Sequence, residues 1–291
     1  MKKLISVAVV LAMVLCAANA YAHKEAREMK KGILLVAFGT SEASAKVSFQ
    51  LIEAKVKKAF PGVDVRWAYT SHIIRHKLAG QGDSLLSPAQ ALAKMMDEGY
   101  THVAVQSLHT IPGEEYHELA MTVNGFKAMP GGFDRLILGF PLLGAQDTVA
   151  KAVDAIFATL PKARKANDAV VLMGHGTHHP GNIYYSAMNW QLQQKDPNII
   201  MGTVEGYPEL GDVIAWLNER KTGKVWLMPF MSVAGDHAKN DMAGHEEDSW
   251  KSRLTKAGFS CQTVLKGTAE YDEFVDIWVG QLAKAMTHCR P

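Results

Sequence analysis

The chain has 291 residues, 48% of them hydrophobic and 21% charged, with a formal charge of +2 at neutral pH. That length and apolar content can bury two cores of ordinary size and exclude a disordered polymer. The near-neutral balance excludes the basic face that a nucleic-acid partner demands, and three cysteines are too few for a disulfide scaffold.

Residues 1–22 read as a secretory signal, with Lys2-Lys3 as the positive start and residues 4–16 as a short apolar run. Ala18-Asn19-Ala20 and Ala20-Tyr21-Ala22 are small-residue cleavage sites. The run is shorter than the roughly 18–20 residues of a membrane span. Cys16 follows Leu15 rather than a small residue, against a lipoprotein anchor. The mature chain is therefore expected to be soluble and periplasmic, with no membrane span. Cleavage removes Lys2 and Lys3 and no acid, so the formal charge falls from +2 to 0.

After a charged tail at 23–30, strands are expected at 32–38, 63–68, 102–108 and 136–140. Helices are expected between them at 44–60, 87–99 and 147–160. Pro61-Gly62 stops the first helix, and Ser87-Pro88 supplies an N-cap and a first-turn proline to the second. Residues 161–167 form a polar, basic linker. The pattern then restarts, with strands at 169–173, 199–202, 224–228 and 260–265 and helices at 183–193, 209–218, 248–257 and 271–287. Strands alternating with helices imply parallel sheets with right-handed crossovers, hence two similar α/β domains, 30–163 and 164–291. Neither G-x-G-x-x-G nor G-x-x-x-x-G-K-[ST] occurs, so nucleotide binding has no support. Nor is there a C-x-x-C-H for covalent haem.

The two halves repeat at chemically loaded loops. Leu34-Leu35-Val36-Ala37-Phe38-Gly39-Thr40 answers Val171-Leu172-Met173-Gly174-His175-Gly176-Thr177. Gly113-Glu114-Glu115 answers Gly235-Asp236-His237. Aligning the glycines sets Phe38 opposite His175 and Glu115 opposite His237. Ligands in open α/β sheets sit beyond the carboxyl ends of strands, where His175, His237 and Glu115 all fall. Two imidazoles and a carboxylate suit a divalent metal. The bland readings are a turn histidine for His175, a capping Asp236 beside an incidental His237, and helix-dipole acids for Glu114 and Glu115. His178 and His179 extend the His175 cluster or are solvated. His117 lies about 200° around a helix from Glu115 and reads as a surface histidine. His72, His76, His102, His109, His245 and His288 carry no comparable argument. Cys261 and Cys289 either pair across the last strand–helix unit or stand as separate thiols.

Together with Gln106-Ser107-Leu108-His109, Pro112-Gly113-Glu114-Glu115-Tyr116, Gly174-His175-Gly176-Thr177-His178-His179-Pro180 and Ala234-Gly235-Asp236-His237-Ala238-Lys239-Asn240-Asp241, these loops resemble class II tetrapyrrole chelatases. The match is to the anaerobic-type sirohydrochlorin cobaltochelatases of the cobalamin pathway. The resemblance implies a ferrochelatase-like fold with its cleft between the two domains. It also implies insertion of Co²⁺, or Fe²⁺, into metal-free sirohydrochlorin with release of two protons. The family's catalytic histidine falls on His175, its second histidine on His237 and its metal-binding glutamate on Glu115. Sirohydrochlorin is rich in carboxylates, for which Arg75, Lys77 and Lys239 are candidate cations, and Phe38 is a candidate apolar wall. The secretory leader departs from a family whose pathway is cytoplasmic. An exported, non-catalytic carrier of metal or tetrapyrrole, and a metal-dependent hydrolase, are the alternatives. A homo-oligomer is left open.

Overall fold

The computed structural model describes residues 27–289; the expected leader, 1–22, lies outside the described residues. Among the described residues, eight strands form two four-stranded sheets, every neighbouring pair parallel. The first contains β1 (Lys31–Ala37), β2 (Asp64–Tyr69), β3 (His102–Ser107) and β4 (Arg135–Gly139), in the order β2-β1-β3-β4. The second contains β5 (Ala169–Gly174), β6 (Ile199–Thr203), β7 (Lys224–Pro229) and β8 (Ser260–Thr263), in the order β6-β5-β7-β8. The same order twice is the duplication read in the loops. Central strands β1 and β5 are covered on both faces and are accordingly near-continuous apolar runs.

Helices α1 (Val47–Ala59), α2 (His72–Ala79), α3 (Pro88–Asp97), α4 (Glu114–Lys127) and α5 (Gln146–Thr159) belong to the first half. Ser87 caps α3 as expected: its hydroxyl accepts from the Gln90 amide at 3.2 Å while the Gln90 side chain accepts from the Ser87 amide at 2.9 Å. The composition did not announce α2, whose eight residues mix two histidines with Arg75 and Lys77; the Ser71 hydroxyl caps it from the end of β2. The second half carries α6 (Ile183–Lys195), α7 (Leu210–Arg220), α8 (Trp250–Lys256) and α9 (Asp272–Thr287).

One core cluster fills the outer face of the first sheet, under α3 and α4, and another that of the second, under α7 and α8. The third is shared: residues of β1, α1, α5, β5, α6 and α9 form one continuous apolar body between the two sheets. The lobes therefore pack through a common core as well as a linker. Among the described residues, no helix is long and apolar enough to cross a membrane.

The last helix departs from the expected strand–helix unit. Instead of returning along β8, α9 crosses to the first lobe and packs on β3, β4, α5 and α1. Lys55 of α1 holds it from the side, with its ammonium 3.0 Å from Asp272 and 2.6 Å from Asp276. This carries Cys289 into the shared core, near Lys31 and Arg135 of the first sheet, while Cys261 stays in β8 at the edge of the second. Both thiols are free, so the possible pairing does not form.

Candidate active site

Each sheet reverses its strand order beside its first strand, between β1 and β3 and between β5 and β7, and such switch points open a crevice at the carboxyl ends. The chemistry-bearing loops leave from there. Phe38 follows β1 and His109 follows β3; His175 follows β5, and His237 lies beyond β7. The two lobes turn these ends toward one another, with the Phe38 and His175 rings 6.2 Å apart between centroids.

His175 and His237 meet edge to face, 4.6 Å between centroids at 89°. Among the described residues, one cluster of histidine, cysteine or acidic side chains has three ligand atoms within metal-holding reach. His175, Glu205 and His237 place theirs within 4.8 Å of one another. Each ring is held by a contact at its Nδ1. His175 Nδ1 lies 3.0 Å from the Gly176 carbonyl oxygen and 4.0 Å from a Glu205 carboxylate oxygen. His237 Nδ1 is hydrogen-bonded to the Asp241 carboxylate four residues on, which leaves Nε2 as its candidate ligand atom. Asp236, next to His237 in sequence, is exposed and accepts from the Asn240 amide at 2.9 Å.

The carboxylate beside the two imidazoles is thus Glu205, not the expected Glu115. Comparing the loops after β1 and β3 with those after β5 and β7 passed over the end of β6. The backbone makes the equivalence plain. Glu205 N–H donates to the His175 carbonyl at 2.7 Å, and in the first lobe Ser71 N–H donates to the Phe38 carbonyl at 3.1 Å. The same strand-end geometry places Phe38 and Ser71 in one lobe and the candidate ligands His175 and Glu205 in the other. Gly176 makes the approach possible, because its φ is +82° and a Cβ built there would stand 2.4 Å from the Glu205 carbonyl oxygen. Gly176→Ala should therefore displace Glu205 at a cost of about 1–3 kcal/mol. Melting should fall by at least about 3 °C, and Co²⁺ should bind about tenfold more weakly in a calorimetric titration. Unchanged melting and affinity would show that the contact does not shape the site.

Glu115 stands in the first turn of α4, half-buried, on the first-lobe side of the same cleft. Burial raises its pKa above the ordinary carboxylate value, and Glu118 and Glu114 push the same way; a hydrogen bond with Thr70 and the proximity of His175 oppose them. A carboxylate so disposed is a better proton acceptor than a solvated one. His117, read as a surface histidine, is exposed but not alone, since its Nδ1 lies 3.1 Å from Nε2 of His179 across the lobes. His178 is exposed and Glu114 faces solvent. Of the candidate cations, Lys239 is engaged by Glu42 across the lobes at 2.5 Å, and Lys77 donates to the Ser41 hydroxyl at 3.0 Å. The Lys239 ammonium holds the Glu42 pKa below its usual value. Arg75 is half-buried with its Nε unpartnered among the described residues.

Duplicated parallel α/β lobes closing on a two-histidine, one-carboxylate centre are the architecture of a class II metal chelatase. The fold agrees with SirB from Bacillus subtilis, solved with Fe³⁺, at a TM-score of 0.58 and 16% identity, over 88% of this chain and 96% of that one. The sequence model of the cobalt chelatase (CbiK) family matches residues 31–287, and the chain belongs to that family. It is 45% identical over 258 residues to the sirohydrochlorin cobaltochelatase CbiKC of Nitratidesulfovibrio vulgaris, covering 89% of this chain and 91% of that protein. It is 35% identical over 260 residues to the sirohydrochlorin cobaltochelatase of Salmonella typhimurium, covering 89% and 97%.

Proposed function

We infer that the protein is a sirohydrochlorin cobaltochelatase, which inserts Co²⁺ into the metal-free macrocycle. What carries this reading is the convergence of His175, Glu205 and His237 in a chain of the cobalt chelatase family. Insertion breaks two pyrrole N–H bonds, forms bonds from the ring nitrogens to cobalt, and releases two protons. Two neutral imidazoles and one carboxylate hold a divalent ion without trapping it as thiolates would, so the ion can pass to the ring nitrogens as its protein ligands let go. Glu115 faces the same cleft from the other lobe and accepts one pyrrole proton, and an imidazole of the trio, freed as the ion departs, accepts the other. Phe38, beside His175, supplies an apolar wall against the macrocycle.

The test is an absorbance time course with purified protein, sirohydrochlorin and Co²⁺, with Fe²⁺ in a parallel arm. Insertion many-fold faster than in protein-free solution is expected with Co²⁺. A rate equal to the protein-free one would overturn the enzyme and leave a carrier, the reading that an export leader favours. The leader at 1–22 supports periplasmic residence. Intact mass of the protein recovered from the producing cells should match a start near residue 21 or 23, and a full-length mass would end the export proposal.

A further inference from the structure

We propose that Asn182 is a positioning residue for the metal site: its side-chain amide ties the loop that carries His175 to the loop that carries Glu205, and so holds two of the three candidate ligands at a fixed separation. The proposal rests on the reading of Glu205 as a ligand.

Of the three side chains, Glu205 is the least supported. Each imidazole is held at its Nδ1, whereas among the described residues the Glu205 carboxylate makes no hydrogen bond. His175 Nδ1 stands 4.0 Å from it, beyond hydrogen-bond reach, and the side chain is 53% exposed. Where that carboxylate points is therefore decided by its backbone. The segment 204–208, between β6 and α7, is neither helix nor strand, so separate contacts must hold it. Its base is closed at Thr203, whose N–H and hydroxyl both donate to the Pro208 carbonyl, at 2.7 and 3.1 Å. Its start lies along the His175 loop: Val204 N–H donates to the Gly174 carbonyl at 3.1 Å, and Glu205 N–H to the His175 carbonyl at 2.7 Å. Its far side, at Tyr207, is held by Asn182.

Asn182 stands just before α6. Its Oδ1 accepts from the Thr177 N–H at 3.1 Å, and its Nδ2 donates to the Tyr207 carbonyl at 2.7 Å. A backbone N–H only donates and a carbonyl only accepts, so the bridging side chain must offer an acceptor and a donor side by side. An amide does. A carboxylate lacks the donor, and leucine, of similar shape, lacks both. Gly206 lets the loop close on the amide: a Cβ there would stand 2.5 Å from Asn182 Oδ1 and 3.1 Å from the Thr177 nitrogen. The duplication ties the bridge to the metal site rather than to the fold. Counted from the aligned glycines Gly39 and Gly176, the first lobe has buried Ala45 where the second has Asn182. That lobe needs no bridge, because its chain runs directly from Ser71, the counterpart of Glu205, into α2.

Asn182→Ala should weaken Co²⁺ binding about tenfold in a calorimetric titration with the metal alone. Melting should stay within about 3 °C of wild type, because water can replace both bonds without fixing the separation of the loops. Asn182→Leu, which keeps the bulk without the polar ends, should do the same, and it covers the case in which alanine disturbs the fold. In turnover, the KM for Co²⁺ should rise about tenfold with kcat at saturating metal within about twofold of wild type, since Glu115 and both imidazoles are untouched. In a Glu205→Gln background the added loss of affinity from Asn182→Ala should shrink to about twofold, because the side chain being positioned has already lost its charge. Wild-type Co²⁺ affinity in both Asn182 variants would overturn the proposal. So would an undiminished loss in the Glu205→Gln background, which would place the effect of Asn182 elsewhere. Wild-type affinity in Glu205→Gln itself would instead sink the ligand role on which the proposal stands.

Discussion

His175→Ala and His237→Ala should each lower kcat/KM for cobalt insertion at least about 100-fold and weaken Co²⁺ binding at least about tenfold. The first effect exceeds the second because the imidazoles act twice. They hold the ion in the cleft, and the Nδ1 contacts with the Gly176 carbonyl and the Asp241 carboxylate fix how each ring is turned toward it. Alanine removes the ligand atom and the aim together. The fold should survive, because the two side chains are 36% and 34% exposed and stand in loops rather than in the shared core. Circular dichroism and melting near wild type are therefore part of the expected result. Near-normal turnover in both variants would end the assignment of the metal site.

How far the sequence carried depends on what each feature leaves in a linear pattern. Parallel strands buried on both faces must be apolar throughout, so Leu34–Val36 and Val171–Met173 announce both sheets and their duplication. His175 is readable because flanking glycines mark a backbone that something must approach, and Gly176 proves to be pressed against the Glu205 carbonyl. Glu205 itself left no pattern. Its counterpart in the first lobe is Ser71, the cap of a short helix, so comparing the two halves residue by residue shows no shared chemistry there. The carboxylate that bonds His237 is Asp241, because a helix brings position i+4 beneath a side chain, a spacing no local motif marks. The destination of α9 was also unreadable. An amphipathic stripe says that a helix is buried without saying against which sheet, and here the first sheet's exposed face took it. His109 is one histidine among several in the sequence, and the Thr70 hydroxyl it meets at 3.3 Å comes from the end of another strand.

Glu205→Gln and Glu115→Gln should fail in opposite ways, because the two carboxylates do different work in one cleft. Glutamine at 205 keeps an oxygen beside the imidazoles but removes the negative charge that holds a divalent ion. Co²⁺ affinity should fall at least about tenfold, and saturating metal should restore part of the rate. Glutamine at 115 leaves the trio intact, so Co²⁺ should bind within about twofold of wild type. It removes the proton acceptor, however, and kcat should fall about 100-fold at any metal concentration, the range in which a positioned general base operates. Calorimetric titration with Co²⁺ and turnover at saturating metal, run on both variants, read the two roles separately. The burial that raises the Glu115 pKa sharpens the contrast, since a carboxylate that takes up a proton readily is a poorer permanent ligand and a better acceptor. Weakened Co²⁺ binding in Glu115→Gln with unchanged binding in Glu205→Gln would reverse the assignment and return the ligand role to the first lobe.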